Sequence, residues 1–147
     1  MLTDKEKLSK TEAEQINPVV LAFLGDAVYS LYVRERLVCS GEGKASQFQV
    51  AAGKIVSAQG QSVFLDKLLP LFNEEEATVF RRAKNAKKTT KSKSASNLEY
   101  SRSTGFEAVL GYLYLTGNEE RIKELLRYSD ESLFHTVEQI KAFKPSR

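Results

Sequence analysis

Two stretches of this chain are apolar on every side of a helix, and each carries one acid and one interior glycine. The first, PVVLAFLGDAVYSLYV over residues 18–33, has Asp26 as its only charge, directly after Gly25. The second, FEAVLGYLYL over residues 106–115, has Glu107 as its only charge and Gly111 one turn on. A surface helix shows an apolar stripe and a polar face, so a helix without a polar face belongs at the centre of a fold. Glycine in a helix interior is unfavourable by about 1 kcal/mol relative to alanine, and makes sense where another backbone must come close. The economical arrangement packs the two helices together at their glycines and brings Asp26 near Glu107.

That arrangement has chemical consequences. An unpaired buried carboxylate costs several kcal/mol and requires a cation, a strong donor set or a wet cleft. Two carboxylates in one cleft repel, and one stays protonated unless a cation sits between them. Composition narrows the cation. One cysteine, Cys39, and one histidine, His135, exclude an internal disulfide, a thiolate zinc site and any single-chain site with two imidazoles. A hard, oxygen-seeking ion such as Mg²⁺ or Mn²⁺ remains, with Asp26 and Glu107 as its candidate ligands. A plainer alternative stays open, in which Asp26 pairs with a nearby arginine and Glu107 caps a helix beginning at Thr104. It suits Glu107 better than Asp26, which lies mid-helix.

The rest of the chain reads as helical, with no convincing strand alternation. Residues 1–16 form a polar N-terminal extension, frayed or loosely docked, and residues 17–147 form a single all-α domain. Asn17 followed by Pro18 starts the first apolar helix, which runs to about Leu37 or Val38. A second helical stretch covers about Ala45 to Leu69, with a break near Gly60. Asn73 and Glu76 form a capping-box-like pair, and the triplet Glu74–Glu76 reads as surface charge and helix capping. Asp66 likewise reads as surface charge. A flexible basic loop is expected at about residues 87–101, then a helix over Thr104–Thr116, a shorter one after Asn118 and a last one over 130–141. The polar start is no signal peptide and no apolar run reaches membrane-spanning length. With the lone cysteine, this points to a reducing, cytoplasmic setting without a membrane partner.

The net charge of +3 hides an asymmetry. Arg81, Arg82, Lys84, Lys87, Lys88, Lys91, Lys93 and Arg102 share residues 81–102 with one acid, Glu99, giving the segment +7 and leaving −4 elsewhere. A polyanion is the natural partner of such a segment. It lacks the interleaved aromatics that stack single-stranded bases, so contact with duplex phosphates fits better. These eight residues, together with Asn85, form the candidate RNA-binding set. A solvated lysine loop without a partner is the bland alternative.

The same residues carry a resemblance. LAFLGDAV, Leu21 to Val28, resembles the signature helix of the ribonuclease III family, and FEAVLGYLYLTG, Phe106 to Gly117, resembles its second catalytic helix. Gly25–Tyr29, Val56–Gln59, Arg81–Lys87 and Tyr100–Ala108 are similar to segments of the Mini-ribonuclease III branch, which lacks a double-stranded-RNA-binding domain. The similarity spans about Asn17 to Arg127. It implies a ribonuclease III-like helical bundle, a homodimer, and Mg²⁺-dependent cleavage of double-stranded RNA in maturation of the large-subunit (23S) ribosomal RNA precursor. A ribosomal protein is a further partner compatible with that role. By position, Asp26 and Glu107 match the family's two central catalytic acids. Longer relatives carry two further acids where this chain has Ala22 and Thr104, which bears on the number of metals held. Those two departures also motivate the alternative of a non-catalytic RNA- or ribosome-binding module on the same fold.

Overall fold

The computed structural model describes residues 1–41, 43–87 and 97–130. Seven α-helices follow one another there, with no strand among the described residues: α1 (Lys10–Glu14), α2 (Pro18–Cys39), α3 (Ala45–Val56), α4 (Ala58–Leu68), α5 (Glu74–Asn85), α6 (Asn97–Leu115) and α7 (Glu119–Leu126). Short 3-10 turns at Leu69–Leu71 and Arg127–Ser129 extend α4 and α7. The fold is all-α, as the sequence implies.

The two apolar helices, α2 and α6, are the central pair. Asn17 caps α2 through its Oδ1, which accepts from the Val19 amide at 2.8 Å, and Pro18 occupies the first helical position. Leu21, Tyr29, Val33 and Leu37 of α2 are buried, as are Phe106, Ala108, Val109, Leu110, Tyr112 and Leu113 of α6. The glycines sit where the backbones meet. A Cβ on Gly111 would collide with the Leu21 carbonyl oxygen and lie 2.9 Å from its carbon. Three rings lock α2, α4 and α6 behind this crossing: Tyr29 and Phe106 lie 5.5 Å apart edge-to-face, and Phe64 lies 5.4 Å from Phe106.

Several boundaries differ from the sequence reading, each for a local reason. The α3–α4 break falls at Ser57, not Gly60. Ser57 adopts an extended backbone (φ −62°, ψ 159°), donates its Oγ to the Lys54 carbonyl at 2.7 Å and accepts from the Gly60 amide at 3.0 Å. Gly60 instead lets the first turn of α4 rest on the last turn of α3, since a Cβ there would lie 2.5 Å from the Ile55 carbonyl oxygen and clash with that of Lys54. Helix α6 begins at Asn97, so residues 97–101 of the expected loop are helical, and residues 88–96 lie outside the described residues. The expected helix over 130–141, with His135, also lies outside them beyond Asp130.

The N-terminal segment is docked. Ser9 and Glu12 form a reciprocal capping box on α1, Ala13 is fully buried, and the Leu8 amide donates to the Leu115 carbonyl at 2.8 Å. Glu76 is not surface charge either. It is buried, completes the Asn73 capping box at 2.9 Å, and receives two 2.8 Å hydrogen bonds from Arg121, whose Nη2 also donates to the Leu71 carbonyl. This network ties α5 to α7.

Candidate active site

Asp26 and Glu107 converge because their helices touch at Gly25. A Cβ on Gly25 would collide with the Glu107 carbonyl oxygen, so no larger residue fits between the two acids' backbones. The acids line one cavity of about 340 Å³, together with Ala22, Ser103, Thr104 and Tyr100. Asp26 is exposed at its mouth, and Glu107 is half-buried behind it. Burial first, then the neighbouring Asp26 carboxyl, pushes the Glu107 carboxyl up to about 9, against a smaller opposing effect of the Gln61 amide.

Glu107 does not cap a helix. Helix α6 starts at Asn97, so both acids lie mid-helix, and the capping alternative drops out. Near neutral pH Glu107 keeps its proton in a water-accessible cleft. A proton so held is readily exchanged for a cation, because metal binding and carboxyl deprotonation are linked. The donor set suits a hard ion: Mg²⁺ is commonly held by one or two carboxylates, with waters and substrate phosphate completing its shell. Among the described residues no group of three or more His, Cys, Asp or Glu is placed to hold a metal. Ala22 and Thr104 explain this. Both are buried at the cavity wall, and the Thr104 hydroxyl is spent on the Tyr100 carbonyl at 3.0 Å.

None of the basic candidates among the described residues lines this cavity. Arg81, Asn85 and Lys87 are exposed, and Lys84 is half-buried. Arg82 donates to the Glu14 carbonyl at 3.1 Å, fastening α5 to α1. Arg102 pairs with Asp66 at 2.7 Å and is only 16% exposed, so it braces α6 against α4. Lys88, Lys91 and Lys93 lie outside the described residues. The sequence reading also missed Gln61, a fully buried residue beside Glu107. Its signal was legible: Ala58, Phe64, Leu65 and Leu68 define the buried stripe of α4, and Gln61 is the polar residue on it.

A sequence profile described as "Ribonuclease III domain" matches residues 19–118, the span that carries both acids. The chain belongs to the ribonuclease III family. It is 46% identical over 123 residues to a Mini-ribonuclease 3 of Brevibacillus brevis, covering 84% of this chain and 91% of that protein. A Mini-ribonuclease 3 of Symbiobacterium thermophilum is 46% identical over 110 residues, covering 75% and 85% respectively. In three dimensions the chain is similar to a crystal structure of a protein from Fusobacterium nucleatum, with a TM-score of 0.71 and 32% identity over 77% of this chain and 92% of the other. This ribonuclease III protein is therefore an endoribonuclease of that type, a class that acts on double-stranded RNA. No helix among its described residues is long and apolar enough to cross a membrane.

Proposed function

We propose that this chain is a Mg²⁺-dependent endonuclease that cuts double-stranded RNA at Asp26 and Glu107 and matures the precursor of 23S ribosomal RNA. The observation that carries the catalytic reading is the Asp26–Glu107 pair in one open cavity, with the Glu107 carboxyl pushed up to about 9 by burial and by Asp26. The precursor assignment is supported by the similarity to the Mini-ribonuclease 3 relatives over most of the chain.

Asp26 and Glu107 would hold the ion. When bound, a divalent cation supplies Lewis-acid chemistry at a phosphate and activates water. The chain's own residues do the rest. Asp26, at the mouth, meets the RNA backbone, while Glu107 fixes the depth of the site. The wall formed by Ala22, Thr104 and Tyr100 shapes the cleft in which water would attack phosphorus in line, breaking the bond to the ribose oxygen opposite, which leaves as a hydroxyl. The basic set around Arg81, Lys84, Asn85 and Lys87, continuing through Lys88, Lys91 and Lys93, would grip the duplex by its phosphates.

A homodimer fits the surface of α2. Val20, Phe23, Leu31 and Val38 lie on one face of that helix and are 55%, 81%, 58% and 64% exposed. An exposed apolar face marks an interaction surface; this one borders Asp26 and is interrupted by the exposed Arg34 between Leu31 and Val38. A twofold pairing there would set two cavities against opposite strands of one duplex.

The test is to incubate the purified protein and Asp26→Asn with 23S precursor RNA, with and without Mg²⁺, and to map the ends. Discrete ends in a double-stranded stem, dependent on Mg²⁺ and on Asp26, are expected. An intact precursor at every Mg²⁺ concentration contradicts the substrate assignment.

A further inference from the structure

Gln61 lies in the first turn of α4 with its side chain fully buried. Its place is fixed from three directions: Ser57 caps the helix, Gly60 rests on the end of α3, and Phe64 packs against Phe106 one turn on. The Nε2 donates to the Val56 carbonyl at 3.0 Å. An amide nitrogen carries two hydrogens, and Gln61 lies between Ala58, which lines the cavity with Glu107, and Phe64, which packs on Phe106, so its amide sits beside the Glu107 carboxyl. The Oε1 is buried with no partner. An unsatisfied buried acceptor costs about 1–3 kcal/mol, whereas methionine or leucine would fill the stripe between Ala58 and Phe64 without it. An amide at this position needs a reason other than packing, and the adjacent carboxyl provides one.

We infer that Gln61 is a positioning residue, whose amide, anchored on the Val56 carbonyl, holds the Glu107 carboxyl turned towards Asp26 and the cavity. Gln61 does not line the cavity itself, so it acts through Glu107 and not on the RNA. Tying down one side of the carboxyl leaves the other for the cation. Outer partners of this kind set metal affinity by fixing ligand orientation, and losing one costs about 10–100-fold. The inference rests on the reading of Asp26 and Glu107 as the cation-holding pair.

The experiment compares the full chain with Gln61→Met, Gln61→Leu and Glu107→Gln. Mn²⁺ binding is measured by electron paramagnetic resonance without RNA, single-turnover duplex cleavage is measured across a Mg²⁺ titration, and folding is followed by circular dichroism. Gln61→Met is expected to fold like wild type and to bind duplex RNA unchanged. Its Mn²⁺ dissociation constant should rise about tenfold, and the Mg²⁺ for half-maximal cleavage should rise in parallel, with saturating Mg²⁺ restoring most of the rate. A defect of folding alone would not be rescued by metal. Wild-type Mn²⁺ affinity in Gln61→Met, beside lost affinity in Glu107→Gln, overturns the role of Gln61 and leaves the acid pair standing. Wild-type affinity in Glu107→Gln overturns the acid pair itself, and the inference with it. If Gln61→Met and Gln61→Leu both unfold, the amide serves the fold and the inference is wrong.

Discussion

A Cβ on Gly25 would lie 2.6 Å from the carbonyl carbon of Glu107, closer than any side chain can sit. The residue before one acid therefore sets how near the other acid's helix can come. Gly25→Ala must push α2 and α6 apart, and overpacking of this kind costs about 1–3 kcal/mol or more. Gly53, on the exposed side of α3, has open space around it, with nothing within 4 Å of where a Cβ would sit. Gly53→Ala should stabilise the chain by about 0.5–1 kcal/mol through helix propensity. Denaturant melts of the two variants check this, and equal effects of the same sign would contradict the close crossing.

The proton on Glu107 makes stability depend on pH. The carboxyl is raised from an ordinary 4.5 to about 9, so the folded chain keeps a proton that the unfolded chain releases between those values. Stability from this group is full below pH 4.5 and is lost as pH rises through about 9. In a chelator, the melting temperature should fall from pH 5 to pH 9 in wild type, and Glu107→Gln should flatten that fall. Melting curves with parallel pH slopes for the two proteins would contradict a proton held on Glu107.

Much of this site was legible in the sequence because its constraint is compositional. A helix with no polar face has one place to go, and its single acid and single glycine stand out. What was illegible depended on tertiary contacts. Ser57 gives the break that Gly60 suggested, because the serine hydroxyl can serve both helix ends while the glycine is needed for packing. Asn97–Ser101 looks like loop by composition, yet it joins α6, with Arg102 held by Asp66 at 2.7 Å and Gly105 against Phe80. The box between Ser9 and Glu12 was present in the sequence as a Ser-x-x-Glu signal, and its docking partner Leu115 was not. Gln61 could be placed on a buried stripe by spacing, but only the fold puts Glu107 opposite it.

Arg121 and Glu76 provide a test of stability away from the cavity. Glu76 is 1% exposed and Arg121 is 23% exposed, with Nη2 2.8 Å from Oε1. Arg121→Met strands a buried carboxylate, which costs about 3–5 kcal/mol. Neither residue lines the cavity, so cleavage per folded molecule should stay at the wild-type rate at low temperature. Calorimetry and active-site-normalised rates check both halves, and an unchanged melting temperature would contradict the role assigned to this pair.

The basic segment should act through phosphates. Each contact with duplex lost flattens the slope of log affinity against log salt by about 0.9. Changing Lys87, Lys88, Lys91 and Lys93 together to alanine should weaken duplex binding and reduce that slope. Arg102→Ala should instead lower the melting temperature, since it breaks the ion pair with Asp66. A salt slope untouched by the four lysines would remove them from the RNA interface.

The central claim is that Asp26 and Glu107 act as one cation-holding pair in the chemical step. Single-turnover cleavage of a duplex RNA, with enzyme saturating and Mg²⁺ in excess, isolates that step from binding. Asp26→Asn and Glu107→Gln should each slow cleavage by about 1,000-fold, in the range expected for losing a group that stabilises developing charge, while the duplex dissociation constant stays within about twofold. Either variant cutting at the wild-type rate would contradict the account.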